Sequence, residues 1–230
     1  MAGLTVIVPA LNEAATIEAA LGAAAPLRAR GAEVIVVDGG SGDATRAVAA
    51  PHADRVIEAP CGRARQMNAG ARLASGDVFL FLHADTRLPE GADRSIFDAL
   101  ASGRHAWGRF DVRIDGGAVL GVVGRMMNLR SRLTGIATGD QALFMTRAAF
   151  EAAGGFPDIA LMEDVAICKR LKRISPPACL RKIVVTSARR WTERGTLATI
   201  VLMWRLRLAF ALGADPHALA RRYERPRSPS

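Results

Sequence analysis

The sequence predicts an α/β fold: a single domain with a mostly parallel central sheet flanked by helices, followed by C-terminal helices. Three observations predict it. Strand-like and helix-like segments alternate from residue 4 to residue 85. The strand segments are nearly continuous apolar runs, as a sheet covered on both faces requires. Polar residues able to do chemistry follow those runs directly, at the carboxyl ends of strands, where open α/β sheets bind ligands.

The elements follow in order. Leu4–Pro9 is a β-rich apolar run closed by proline. Asn12 is a candidate cap for an Ala-rich helix from Glu13 to Arg30, whose apolar residues fall at helical spacing. Glu33–Asp38 is a second strand, closed by Gly39-Gly40-Ser41-Gly42, and a short helix follows from Asp43 to Ala50. Arg55–Glu58 reads as a short strand, Arg63–Ala74 as a helix and Asp77–Leu82 as a fourth strand. Beyond Asp85 the alternation loosens. Helices are expected at Glu90–Leu100, Ala118–Leu133 and Glu163–Ile174, and strands at Trp107–Ile114, Ala142–Thr146 and Ile183–Thr186. Thr196–Leu212 is helical and apolar but carries Arg205 and Arg207, too short and too charged for a membrane span. Another short helix starts after Pro216, and residues 225–230 read as disordered.

Composition narrows the class. The 230 residues suit one domain, and 50% hydrophobic with 23% charged residues excludes a disordered chain. Cys61, Cys168 and Cys179 form no CxxC pair, so neither a disulfide framework nor a cysteine zinc site is indicated. The N-terminal run lacks a basic lead and is soon broken by Asn12 and Glu13, so no secretory signal is expected and a cytoplasmic location is. The net charge of +9 is not evenly spread: residues 165–230 carry 15 basic and 3 acidic side chains. Such clustering serves phosphate groups, an anionic membrane surface or nucleic acid, or is a solvated basic face.

Four segments carry a resemblance when read together: Pro9-Ala-Leu-Asn-Glu13, Val37-Asp38-Gly-Gly-Ser-Gly-Asp43-Ala-Thr45, Gly62-Arg-Ala-Arg-Gln-Met-Asn68-Ala-Gly70 and Gly76-Asp77-Val-Phe-Leu-Phe-Leu-His-Ala-Asp85-Thr86. They look like the first half of a family 2 glycosyltransferase with the GT-A, Rossmann-like fold. Gly139-Asp140-Gln141, Gly154-Gly155-Phe156, Glu163-Asp164 and Arg190-Trp191 continue the likeness to residue 191. Each motif alone is weak; their order and spacing are specific. Gly195–Ile200 and Arg207–Pro216 further resemble a small bacterial subfamily described as radical-SAM-associated or arsenosugar-biosynthesis transferases. The resemblance implies a catalytic domain over residues 1–195, with a nucleotide-binding half (1–86) and an acceptor half (87–195), and a helical tail over 196–224.

It also implies a reaction: metal-dependent, inverting transfer of a sugar from a nucleotide-sugar donor, expected to be UDP-linked, to a small or lipid-associated acceptor. Breaking the anomeric C–O bond leaves negative charge on a diphosphate, which Mg²⁺ or Mn²⁺ stabilises as a Lewis acid. Such ions take hard oxygen ligands, one or two carboxylates plus the phosphates. Asp85 matches the metal-ligating last residue of the family's DxD motif. His83 stands where the first Asp is usual, a departure, though imidazole can ligate Mn²⁺ or bond a ribose hydroxyl. Asp38 is implied at the base or ribose; it can equally organise its own Gly-rich turn. Pro9 and Glu13 flank the donor pocket, Arg63 approaches the base or a phosphate, and Gln66 and Asn68 are weaker candidates. Asp164 is implied as the base that takes the acceptor proton, with Glu163 raising the local negative potential; both also suit a helix N-terminus. Asp140 is implied in shaping the acceptor site. Arg190 is implied to pair with the diphosphate and Trp191 to stack on an acceptor sugar, with a packed core Trp beside a surface Arg as the alternative. The Gln of the processive QxxRW motif is replaced by Ser187, against a polysaccharide synthase.

Two other readings compete. A sugar nucleotidylyltransferase shares the architecture but wants a Gly-rich loop with Arg after the first strand, where this chain has Pro9–Glu13. A basic membrane- or RNA-binding protein on the same fold suits the C-terminal charge, yet leaves the acids at 38, 85, 163 and 164 without a task. Nucleic acid is therefore not an expected partner. The apolar face of Leu197–Leu212 either packs on the domain or rests peripherally on the inner membrane face with its Arg residues at the headgroups.

Overall fold

A computed structural model describes residues 3–224, the side chains of Arg190, Glu193, Arg194 and Glu224 excepted. The elements run β1 (Leu4–Ala10), α1 (Ile17–Ala29), β2 (Glu33–Asp38), α2 (Thr45–Ala49), β3 (Arg55–Glu58), α3 (Arg63–Leu73), β4 (Val78–Phe81), β5 (Thr86–Arg87), α4 (Ala92–Ala101) and β6 (Trp107–Ile114). Next come α5 (Ala118–Thr134), β7 (Leu143–Thr146), α6 (Arg147–Ala152), α7 (Glu163–Leu171), β8 (Ala178–Thr186), α8 (Arg189–Arg194), α9 (Thr196–Ala211) and α10 (Pro216–Glu224).

One eight-stranded sheet has the order β3-β2-β1-β4-β7-β6-β8-β5. The N-terminal four strands pair in parallel, as their apolar runs require. The sheet is mostly parallel, but β7 is antiparallel to both β4 and β6, and β5 to β8. Because β4 pairs with β7, both halves of the chain share one sheet. Side chains alternate across it. Val6 and Val8 of β1 join Ile17 and Leu21 of α1 in one core layer. Ile7 joins Met67 of α3 and Ile167 of α7 in the other. Gly70 and Gly108 are among the glycines that permit tight contact. A Cβ on Gly70 would sit 2.5 Å from Ile7 Cγ2, and one on Gly108 would sit 2.4 Å from the Ala178 carbonyl oxygen.

Several expectations are corrected. Asn12 does not cap a helix: its backbone is left-handed (φ 54°), and α1 begins only at Ile17. The Glu13 carbonyl instead accepts the Thr16 and Ile17 N–H groups in a turn. Strand β8 starts at Ala178 rather than Ile183, because its exposed Arg181, Lys182 and Ile183 hide the alternation. It pairs in parallel with β6 across an irregularity between Phe110 and Asp111. The two-residue β5 and the short α6 and α8 were not anticipated. The expectation for residues 225–230 lies outside the described residues.

The tail is not separate from the domain. Leu206, Leu219 and Ala220 bury themselves with Leu161, Met162 and Val165, and Leu202, Met203, Phe210 and Tyr223 pack around that cluster. Among the described residues no helix is long and apolar enough to cross a membrane.

Candidate active site

The site lies at the carboxyl ends of β1, β2 and β4, where two turns are stitched together. Asn12 Oδ1 accepts the Gly42 N–H (2.9 Å), and the Asn12 N–H donates to Ser41 Oγ (2.9 Å). The Glu13 N–H donates to Thr45 Oγ1 (2.8 Å) and the Ala14 N–H to Asp43 Oδ2 (3.1 Å). Beneath them, buried Gln66 donates from Nε2 to the carbonyls of Ala10 and Val37, both at 2.8 Å. Gln66 thus holds the ends of β1 and β2 together, and Gly39 leaves room for it. Asn68 likewise exchanges two hydrogen bonds with the Phe156 backbone, tying α3 to the Gly154–Phe156 loop.

Asp38 is fully buried. Its Oδ2 accepts the N–H groups of Gly40 (3.0 Å) and Ser41 (2.9 Å), and its Oδ1 accepts the Ser41 hydroxyl. It organises the Gly-rich turn, the alternative reading of this residue, and lines none of the cavities described below. Glu13 does face a cavity, but both its oxygens accept Arg189 Nη2 at 2.7 Å, and Oε2 also accepts the Thr16 hydroxyl at 2.8 Å.

Two adjoining cavities open here. The larger, about 300 Å³, is walled by Pro9, Glu13, Arg63, Gln66, His83 and Asp85, and by Ala220 and Tyr223 of the tail. The smaller, about 50 Å³, is walled by Asp140, Glu163 and Asp164, and by Met203, Arg207 and Tyr223 of the tail. Arg63 and His83 line both. Asp85 also borders a third cavity of about 350 Å³ on its other side, shared with Arg87 and Arg189.

Asp85 follows β4 and is half-buried; its backbone carbonyl accepts the Ser187 N–H at 3.1 Å, fastening it to the end of β8. His83 Nδ1 lies 3.2 Å from Asp140 Oδ1, and its Nε2 edge packs on Gly139, where a Cβ would lie 2.2 Å away. The ring is thereby held at the wall between the two cavities. On the wall of the larger cavity Glu13 is taken up by Arg189, and Asp85 is the carboxylate available to a cation. Among the described residues no three or more His, Cys, Asp or Glu side chains form a metal cage. Mg²⁺ or Mn²⁺ bound chiefly through a substrate diphosphate needs no such cage, and one carboxylate plus phosphates fits it.

Glu163 and Asp164 open α7 behind Met162, a non-glycine residue with left-handed backbone (φ 71°). Asp164 Oδ2 accepts the Gly139 N–H (2.9 Å), and Oδ1 accepts its neighbour Val165 N–H (2.7 Å), so the carboxylate is held in one orientation. Glu163 is buried. Burial, then the Asp164 charge, push its carboxyl above the usual range, against the pull of Arg63, whose Nη1 is 3.7 Å away.

Two cations escaped the sequence reading. Arg130 of α5 leaves Nε and Nη2 buried and unpartnered, and burial lowers its pKa although Asp164 and Asp140 pull the other way. Arg207 of α9 leaves Nε buried and unpartnered beside the smaller cavity. No local motif marks either, because each is brought in by tertiary packing. Trp191 is half-buried on α8 and lines none of these three cavities. Arg190 lies next to Arg189, but its side chain falls outside the described residues.

No curated protein matches the chain by sequence. Solved structures share its fold. Staphylococcus aureus TarS 1–349 in complex with UDP-GlcNAc aligns with TM-score 0.67 at 19% identity, over 80% of this chain and 58% of that one. The mannosyltransferase PcManGT from Pyrobaculum calidifontis, in complex with GDP-Man and Mn²⁺, aligns with TM-score 0.61 at 23% identity, over 98% of this chain and 65% of that one. Glucosyl-3-phosphoglycerate synthase from Mycobacterium tuberculosis, in complex with Mn²⁺ and UDP-glucose, aligns with TM-score 0.57 at 22% identity, over 81% and 70%. The chain spans less than two thirds of the length of the TarS chains it matches. The sequence profile described as glycosyl transferase family 2 covers residues 5–152, from β1 through Ala152 at the end of α6, and with the strand-end site on the page the chain belongs to that family.

Proposed function

We propose that the protein transfers a sugar, with inversion and with a divalent metal, from a nucleotide-linked donor to a hydroxyl acceptor. The observation that carries this reading is the place of Asp85: a half-buried carboxylate at the end of β4, on the wall of the larger cavity, next to a smaller one lined by two acids. The relatives in fold were crystallised with UDP-GlcNAc, UDP-glucose or GDP-Man, two of them with Mn²⁺, which supports a nucleotide-sugar donor. A uridine diphosphate sugar is the first donor to try. Within the family, the likeness of the chain, its tail included, to the small bacterial radical-SAM-associated or arsenosugar-biosynthesis transferases supports the narrower reading.

In this reading the donor lies along the larger cavity with its diphosphate towards Asp85 and Arg63. Asp85 would hold Mg²⁺ or Mn²⁺, which would supply Lewis-acid stabilisation of the leaving diphosphate. The acceptor hydroxyl sits in the smaller cavity. Asp164, oriented by the Gly139 N–H, takes its proton as the oxygen bonds to the anomeric carbon on the face opposite the diphosphate. The bond to the diphosphate breaks, and its electron pair leaves with the phosphate oxygen. Arg63 is placed to offset charge on both sides, and His83, held by Asp140, shapes the wall between donor and acceptor.

The test is a thermal-shift panel of nucleoside diphosphates with and without Mn²⁺. A nucleotide at a hundred times its dissociation constant adds about 2.7 kcal/mol, a rise of roughly 5–10 °C for a domain of this size. The expected result is a Mn²⁺-dependent rise with one nucleotide that Asp85→Ala abolishes. No rise with any nucleotide overturns the reading.

A further inference from the structure

We propose that α5 and α9 together form a face that docks on an anionic lipid bilayer. Both helices are apolar on two opposite sides. On α5, Leu120 and Gly124 face β6 and are buried, while Val119, Val122, Met126, Leu129 and Leu133 form an outward stripe at three- and four-residue spacing. On α9, Thr199 and Leu206 are buried, while Leu197, Val201, Trp204 and Leu208 form an outward stripe of the same kind. All nine stripe residues are at least half exposed, from 50% at Val201 to 77% at Leu133. Isolated exposed apolar residues need no explanation; two contiguous helical stripes do. They lie near one another, because Ile136, just beyond α5, packs into the cluster that holds Leu202 and Met203 of α9.

Charge selects the occupant. Neither helix contains a single Asp or Glu, yet exposed Arg125 flanks the α5 stripe and exposed Arg205 flanks the α9 stripe. The remaining arginines are engaged elsewhere: Arg132 pairs with Asp111, and Arg130 and Arg207 turn inward toward the smaller cavity and its acids. A second copy of the chain would bring arginine against arginine with no carboxylate from these helices to offset it. A bilayer with anionic headgroups accepts the apolar stripes at the acyl boundary and the guanidinium groups at the phosphates. Trp204 suits the interface, where an indole has both an apolar and a polar neighbour. The inner side of α9 carries Met203 and Arg207 on the wall of the smaller cavity, so docking brings that cavity to headgroup level. Resting on the proposed transferase function, this makes the acceptor one that the bilayer itself carries.

The experiment is flotation of the full chain with vesicles of phosphatidylcholine, alone or mixed with phosphatidylglycerol, for the wild type, Met126→Glu and Trp204→Glu. Both changes are at exposed positions outside the site, and unchanged melting temperatures confirm folding. The wild type is expected to float with the mixed vesicles only, and to be released by high salt. Each variant is expected to lower partitioning roughly tenfold or more. On the vesicles the emission of exposed Trp204 shifts to the blue, and Trp204→Phe removes that shift. No flotation with anionic vesicles, or a loss in only one of the two variants, overturns the joint face. So does a concentration-dependent dimer that Met126→Glu dissolves, which would assign the stripe to a second copy. The nucleotide thermal shift is read on the same samples. Flotation without any nucleotide response leaves the docking face standing and removes the transferase reading, and the reverse result does the opposite.

Discussion

Glu163 and Asp164 are adjacent in sequence but meet different surroundings. The Asp164 carboxylate is fastened by two backbone N–H groups, whereas Glu163 is buried beside a like charge, which its ion pair with Arg63 at 3.7 Å offsets in part. A carboxyl raised in the folded state binds its proton more tightly than in the unfolded chain. Its stabilising contribution is therefore complete below the ordinary value of 4.5 and is lost as pH rises through the raised one. Glu163→Gln is expected to remove that loss, so the variant should melt higher than the wild type at neutral pH and converge with it in acid. The slope removed is at most about 1.4 kcal/mol per pH unit. Denaturant titrations across pH check this, and parallel curves would show that Glu163 is not raised. Asp164→Asn is expected to cut kcat by roughly 10²–10⁴ while leaving the nucleotide thermal shift intact. A loss of nucleotide response instead would make Asp164 a donor ligand. Asp38 teaches the opposite lesson: a carboxylate in a motif position can be consumed by its own turn.

At the scale of elements, backbone conformation is forced where loops meet the site. Among the described residues, Asn12, Ala142 and Met162 are the non-glycine residues with positive φ, and they sit after β1, after Gly139-Asp140-Gln141 and before Glu163. Asn tolerates that region; Ala and Met do so at a cost of about 1 kcal/mol each or more, which the surrounding packing must offset. Close packing beneath the site depends on glycine. Gly70→Ala puts a methyl into Ile7 and is expected to cost about 1–3 kcal/mol. Gly108→Ala meets a backbone carbonyl that cannot rotate away, and is expected to cost more. Chemical denaturation of the two variants checks the order, and a Gly108→Ala protein as stable as Gly70→Ala would show that β6 and β8 separate easily. Helix α9 shows the limit of pattern reading: apolar on both sides, it offers no periodicity to say which side is inside.

For the whole molecule, the joining contacts are long-range. Arg189 reaches back 176 residues to Glu13, so the start of α8 is clamped to the first turn of the site. The tail closes over α7 through Leu206 and Leu219, and supplies walls to both cavities. Leu206→Ala leaves a void in that small cluster and is expected to cost about 2–5 kcal/mol. Because the tail walls the site, the same variant should also weaken the nucleotide thermal shift, whereas a wild-type shift in a destabilised protein would separate the tail from the donor site.

What the sequence determined by itself was local or periodic. Continuous apolar strands, the Gly-rich turn after Asp38, the strand-end Asp85 and the acidic start of α7 are each written within a few neighbouring residues, and they sufficed for the α/β fold, the family and several residues that wall the candidate site. The tertiary structure alone decided matters that depend on residues far apart in the chain. It reversed β7 between β4 and β6, turned Asp38 inward, paired Glu13 with Arg189, and brought Arg130 and Arg207 to the acids. It also decided which side of α9 is core. The reason is physical: an apolar or charged side chain specifies that it needs a partner of a given kind, but which partner it meets is set by how the elements pack.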